Sequence, residues 1–312
     1  MNRRQWLQAA AASGGLWSAQ AFAADDETVA VPIALAPPRR IVTSLTIGGK
    51  GPYYFILDTG ASVSGIKPSL ARQLNMRLVE YEKIYGIGGS DHTAIYQAND
   101  VVFGEAFRVK AMAMAGFDIF EAFEFDGLLA AGFLTGVPSR LDLDTMQLTF
   151  YPGGRGLDLS GYHLWPSRRE QAGAGEKIYV DVMVDGLKAN CLLDTGAGAA
   201  VNLASGFVRK HKLWDRYKPY QDRMARGIHG DQVKTRYVHA ETVTIGDFPI
   251  KGAPLTLYDP KVDSSFGGVD GIVGMGAIGR FNHVFAADGI YVKPNRYFDD
   301  VQLLFGKPAP QP

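Results

Sequence analysis

Phe55-Ile56-Leu57-Asp58-Thr59-Gly60-Ala61 and Cys191-Leu192-Leu193-Asp194-Thr195-Gly196-Ala197 are the same phrase written twice, 136 residues apart. Two further matches follow in the same order. Ala98-Asn99-Asp100-Val101-Val102-Phe103-Gly104-Glu105 aligns with Ala240-Glu241-Thr242-Val243-Thr244-Ile245-Gly246-Asp247 at an offset of 142, and Asp126-Gly127-Leu128-Leu129 with Asp270-Gly271-Ile272-Val273 at 144. Three landmarks in register, with offsets that grow only by small insertions, define an internal duplication.

Each copy carries the same local signals. Ile41–Ile47 and Tyr53–Leu57 are β-branched or aromatic runs joined by Gly48-Gly49-Lys50-Gly51, and Ile178–Val184 and Leu187–Leu193 flank Asp185-Gly186. Both read as hairpins, and Asp-Gly is among the strongest short hairpin signals. A short helix is expected after each Asp-Thr-Gly, near Pro68–Asn75 and Ala204–Leu213; Pro68 suits a helix start. Glycine-rich hairpins come next, at Tyr85–Asp91 and Arg226–Asp231, followed by short alternating strands. Pro152–Glu176, rich in Gly, Pro, Ser and charge, reads as the connection between the copies.

Asp-Thr-Gly at the end of an apolar strand puts a carboxylate where the backbone turns sharply. The glycine permits close approach of another chain, and the threonine offers a hydroxyl that can tie the turn to a neighbour. Across a pseudo-twofold axis the two copies could bring Asp58 and Asp194 side by side. Two carboxyls about 3 Å apart cannot both ionise, so they hold one proton jointly. The ionised member can then activate water while the protonated member polarises a carbonyl.

On these residues the sequence resembles the aspartic proteases of the retropepsin-like group, with two lobes fused in one chain in the pepsin-like arrangement. Asp126-Gly127-Leu128-Leu129 and Asp270-Gly271-Ile272-Val273-Gly274 resemble that family's hydrophobic-hydrophobic-glycine element, whose strand threads past the catalytic loop. The resemblance spans roughly residues 40–150 and 177–295. It implies an all-β fold of two tandem closed β-barrel lobes with short helices, related by a pseudo-twofold axis. It also implies peptide hydrolysis without cofactor or metal, with Asp58 and Asp194 as catalytic residues. Thr59, Gly60, Thr195 and Gly196 would support the loops. The hairpins holding Tyr85, Gly86, Gly88 and Gly89 and Gly227, His229 and Gly230 sit where the family keeps its flaps, with Tyr85 a candidate to reach over the cleft. An extended peptide would bind there through its backbone. With both aspartates in one chain, a monomer suffices.

Two departures stand out. The position matching Gly274 is Ala130, whose methyl group is expected to crowd the Asp58 loop, and Ser62-Val63-Ser64 is replaced by Gly198-Ala199-Ala200 in the second copy. The endings, Leu141–Tyr151 and Arg280–Lys293, also match poorly. An inactive peptide- or glycan-binding relative is the alternative reading.

The rest of the chain narrows the field. With 37 glycines in 312 residues, 32 basic against 32 acidic side chains and 46% hydrophobic residues, it is a folded, turn-rich protein, neither disordered nor a basic nucleic-acid binder. A single cysteine, Cys191, excludes an internal disulfide, and no run of 18 apolar residues is present to span a membrane. Arg3-Arg4, a glycine-softened apolar run and Ala21-Phe22-Ala23 read as a twin-arginine-like export signal over residues 1–23, which places the mature protein in the periplasm or outside the cell. The expected divisions are then 24–151, a linker at 152–176, 177–306 and a tail at 307–312. Gly274-Met275-Gly276-Ala277-Ile278-Gly279 fits a dinucleotide fingerprint but falls too late in the chain, with no βαβ unit around it. Cys191 reads as a buried hydrophobe, and Met112 and Met114 as strand core.

Overall fold

The computed structural model describes residues 27–305, apart from 38, 87–88, 105–106, 173–174, 227–231 and 262–265; the expected export signal at 1–23 and tail at 307–312 lie outside the described residues. Each copy of the repeat closes a ring of six strands. In the first lobe the ring runs Arg40–Ile47, Lys50–Asp58, Gly127–Ala130, Gly65–Ile66, Phe107–Gly116 and Gly89–Phe103, and the last strand pairs back onto the first. In the second it runs Gly175–Val184, Leu187–Leu193, Gly271–Val273, Val201–Leu203, Pro254–Tyr258 and Gln232–His239. Thr242–Ile245 continues that last strand past Ala240-Glu241 and pairs with Gly175–Val184, closing the ring.

The turns explain why the two copies fold alike. Gly48 and Gly49 have φ of 56° and 74°, and Asp185 and Gly186 have 45° and 82°. Two successive positive φ values make the tight hairpin turn that matches strand twist. Gly104 and Gly246, matched in the duplication, have φ of 53° and 54°. Helices follow the aspartate loops at Pro68–Gln73 and Ser205–Lys210, as their sequences predict.

A six-stranded sheet joins the lobes. Its order is Val29–Pro32, Gln147–Phe150, Ser139–Asp142, Phe281–Ala286, Gly289–Pro294 and His163–Trp165. The join is antiparallel, with Ser139 opposite Phe285 and Leu141 opposite His283. The two poorly matched endings are therefore equivalent hairpins that meet across the pseudo-axis. The stretch 152–176 does more than connect: His163–Trp165 forms an edge of the joining sheet, and Ser167–Ala172 pairs with Gly175–Val184.

One core cluster runs through both barrels and the joining sheet. At its first-lobe end Phe107 stacks on Phe150 with centroids 4.0 Å apart, and Phe133 packs edge-on against both. Burying each such ring contributes roughly 1.5–3 kcal/mol. Two smaller apolar clusters, one per lobe, lie beside the aspartate loops. The first holds Ile56, Phe117, Phe120 and Leu128 with Ala61 against it; the second holds Tyr179, Leu192, Phe266 and Ile272 with Ala197 against it. Cys191, Met112 and Met114 are buried in the core, as expected.

Candidate active site

Each aspartate ends a strand that runs parallel to the strand of its lobe's second motif. Phe55–Asp58 lies against Gly127–Ala130, and Cys191–Leu193 against Gly271–Val273. The aspartates preceding those motifs pin the pair. The Asp126 carboxylate accepts the Tyr54 N–H (2.9 Å) while its own N–H donates to Tyr54 O (2.8 Å). Asp270 repeats the arrangement on Asn190, at 3.0 and 2.9 Å. Sequence reading quoted both residues without assigning them this work; the signal was an identical acid at the same place in both copies.

The two loops are tied to each other through their threonines. The Thr59 hydroxyl donates to Leu193 O (2.8 Å) and accepts the Thr195 N–H (3.0 Å). In mirror fashion the Thr195 hydroxyl donates to Leu57 O (2.7 Å) and accepts the Thr59 N–H (3.1 Å). Both threonines are 1% exposed, so these four bonds form away from water, where an unmade bond is costly.

The glycines serve by being small. A Cβ on Gly60 would lie 2.5 Å from Asp194 Cγ, and one on Gly196 would lie 2.9 Å from Asp58 Cγ. Each glycine thus lies under the opposite lobe's carboxyl, with its own N–H turned back to its own aspartate: Gly60 N to Asp58 Oδ1 at 3.1 Å and Gly196 N to Asp194 Oδ1 at 2.7 Å. The Cβ position of Gly196 lies 2.9 Å from Asp194 Oδ1 and 2.9 Å from Asp58 Oδ1, which puts the two carboxyls side by side.

Burial is the first cause that raises both carboxyls above the ordinary range. The neighbouring Asp58 charge pushes Asp194 higher still, while for Asp58 the bond to Asp194 works in the opposite direction. The Arg40 charge moderates both. That cation stands one strand start away from the site, and no motif in the sequence singled it out.

The two departures from the repeat resolve differently. In the first lobe the Ala130 N–H donates to the buried Ser64 hydroxyl at 3.1 Å, so a side chain of the Asp58 loop takes this bond. In the second lobe Gly274 N instead donates directly to Ala200 O (3.0 Å), and a Cβ there would lie 2.5–2.6 Å from the carbonyls of Ala199 and Ala197. The serine in one copy and the glycine in the other solve the same packing problem. Gly276 is similarly pressed against the Ala200 backbone, so glycines of the dinucleotide-like run serve the protein's own loop. Among the described residues no group of three or more His, Cys, Asp or Glu could hold a metal ion.

Both glycine-rich hairpins form. In the first, Arg77–Gly86 pairs with Gly89–Phe103, with Tyr85 opposite Ser90 and Gly86 opposite Gly89 at the tip; Gly88 lies outside the described residues. In the second, Gln221–Arg226 pairs with Gln232–His239, and Gly227, His229 and Gly230 lie outside the described residues. Ile84 of the first hairpin packs on the cluster that includes Ala61, and Val233 of the second on the cluster that includes Ala197. Each hairpin thus leans on the apolar patch beside its own lobe's aspartate.

Comparison with known proteins agrees with this layout. The family model described as aspartyl protease matches residues 43–133 and 180–277, one stretch per lobe. The chain belongs to the aspartyl protease family. Among solved structures, an aspartic proteinase from Irpex lacteus aligns with a TM-score of 0.56 at 14% identity, over 88% of this chain and 99% of that one; at that identity the likeness shows the fold. No curated protein matches the sequence. In this family member the paired match falls on the two loops joined by Thr59 and Thr195.

Proposed function

We propose that this protein is an exported aspartic endopeptidase that cleaves peptide bonds with a dyad formed by Asp58 and Asp194. The observation that carries the reading is the juxtaposition of two buried carboxyls, each seated over the other lobe's glycine, on loops cross-braced by Thr59 and Thr195. In the working state the pair carries one proton, here with Asp194 protonated and Asp58 ionised. Asp58 takes a proton from water as the oxygen attacks the peptide carbonyl, and the Asp194 proton passes to the carbonyl oxygen. Collapse of the tetrahedral diol then requires a proton on the departing nitrogen, which the Asp58 carboxyl supplies, while Asp194 takes a proton back from a diol hydroxyl as the C–N bond breaks and the acid product forms, so the pair ends where it began.

Both limbs of the pH–rate profile belong to the pair. Activity falls in acid when the pair takes a second proton and falls with rising pH when it loses the one it shares; burial raises the carboxyls, so the alkaline limb lies above that of an ordinary carboxyl. Thr59, Gly60, Thr195 and Gly196 hold the geometry, and an extended substrate would bind along the hairpin strands Arg77–Gly86 and Gln221–Arg226 and their partners. Export rests on Arg3-Arg4, the weak apolar run and Ala21-Phe22-Ala23. The test is digestion of a peptide library by the protein across a pH series, with and without a transition-state mimic for carboxyl-dyad enzymes. Cleavage that the mimic blocks supports the proposal; peptide capture with no cleavage at any pH refutes it.

A further inference from the structure

Arg39 has a backbone that an arginine rarely adopts, with φ of +87°, a conformation in which glycine would be relaxed. Strain of this kind persists where surrounding contacts demand it. Its side chain supplies the demand. The half-buried guanidinium leaves the first lobe and donates through Nη1 to Gly198 O of the second lobe at 3.0 Å, and through Nη2 to Gln302 Oε1 of the C-terminal helix Gln302–Phe305 at 2.7 Å. Gly198 lies four residues beyond Asp194, on the same loop. A side chain at Gly198 would meet only open space, and while Ala197 O and Ala199 O on either side are held by Met275 N and Gly276 N of the same lobe, Gly198 O faces the first lobe's guanidinium.

The duplication shows what the contact replaces. Leu45 lies opposite Phe103 and Val182 opposite Ile245, which makes Arg39 the counterpart of Glu176, and Gly198 the counterpart of Ser62. On that side the second lobe's Gly175 packs directly onto Ser62 O, leaving no room for a Cβ, and Glu176 bonds Thr135 of the first lobe. The entry to each barrel therefore braces the other lobe's aspartate loop at the same point. One brace is backbone packing; the other is a single guanidinium.

We propose that Arg39 is a positioning residue for the Asp194 carboxyl, acting across the lobes through Gly198 O and anchored by Gln302. The proposal rests on the dyad reading above. A displaced carboxyl loses rate steeply, since misplacement by about 1 Å can cost on the order of a hundredfold.

The test uses the full chain with Arg39→Gly and Arg39→Lys, read by thermal unfolding, by kcat and KM on a cleaved peptide, and by carbon-13 titration of the Asp58 and Asp194 carboxyls. Arg39→Gly is expected to unfold at the same or a higher temperature, because its backbone strain is released. Its kcat should fall by roughly tenfold or more with KM within about twofold, and the joint titration should move. Arg39→Lys, with one donor head in place of a fork, should recover part of the loss. Wild-type kcat and titration in Arg39→Gly, or a kcat loss that merely follows a lower unfolding temperature, would overturn the proposal. If Arg39→Gly does not fold, Gln302→Ala removes the anchor without touching that backbone: reduced kcat at unchanged KM supports the assignment, and wild-type kcat contradicts it. Should the wild-type protein cleave nothing, the dyad reading fails, and the carboxyl titration alone decides whether Arg39 positions Asp194.

Discussion

Thr59 and Thr195 each donate a hydroxyl proton to the carbonyl that precedes the other's aspartate and each accept the other's backbone N–H, at 2.7–3.1 Å. Neither loop can shift without breaking bonds in the other. The lobes meet here through four hydrogen bonds and, farther down, through the joining sheet.

Valine at either threonine keeps the shape but leaves a buried carbonyl and a buried N–H without partners. At about 1–3 kcal/mol for each unsatisfied group, Thr59→Val and Thr195→Val should each cost roughly 2–4 kcal/mol in denaturant unfolding. Thr59→Ser and Thr195→Ser retain the hydroxyl and should fall within about 1 kcal/mol of wild type.

The raised carboxyls make stability depend on pH in a defined direction. A carboxyl whose folded pKa lies above its unfolded value favours the fold while protonated, so its contribution is full in acid and is lost as pH rises from the ordinary 3.8 through the raised value. Asp194→Asn removes the charge that burial opposes. Its melting temperature should match or exceed wild type at neutral pH, and the difference should vanish in acid. Melting curves at several pH values check this, and an Asn variant that is less stable at neutral pH would contradict it.

His283 works in the opposite direction. It is fully buried in the joining sheet, and its Nε2 donates to Ile278 O at 2.9 Å, which leaves Nδ1 without a partner among the described residues. Burial lowers its pKa to about 4. The depressed value means that its contribution is intact above the unfolded 6.5 and is lost as pH falls toward about 4. A shift of that size corresponds to about 3 kcal/mol. His283→Gln, which keeps a donor near Ile278 O, should flatten the acid limb of the stability profile; an unchanged acid limb would remove His283 from the account.

Ala130 and Gly274 hold equivalent places with unequal tolerance. A methyl on Gly274 would meet two backbone carbonyls, whereas the first lobe already carries one at Ala130, whose N–H bonds the Ser64 hydroxyl. Gly274→Ala should cost roughly 1–3 kcal/mol or more by overpacking, and Ala130→Gly only about 0.5–1 kcal/mol. Equal losses would show that the two loops are packed alike.

Much of this architecture was legible in the repeat, because turn chemistry is local. Asp185-Gly186 specified a positive-φ hairpin, and apolar runs ending in Asp-Thr-Gly specified barrel strands with a buried turn. What escaped the sequence depends on distant partners. The match of Ser139–Asp142 to Phe281–Ala286 was hidden because each strand answers to a different side of the core. The strands at His163–Trp165 and Ser167–Ala172 were hidden among turn-formers and charges, since edge strands need little apolar patterning. Arg39 carried no signal at all: its positive φ and its reach to Gly198 exist only once the lobes are joined.

The central claim is that Asp58 and Asp194 act as one proton-sharing unit, and turnover by the two single asparagine variants tests it most directly. Asp58→Asn and Asp194→Asn should each remain folded and each lose essentially all cleavage of a peptide that the wild-type protein cuts. Substantial cleavage by either variant would mean that the two carboxyls do not perform the chemistry together.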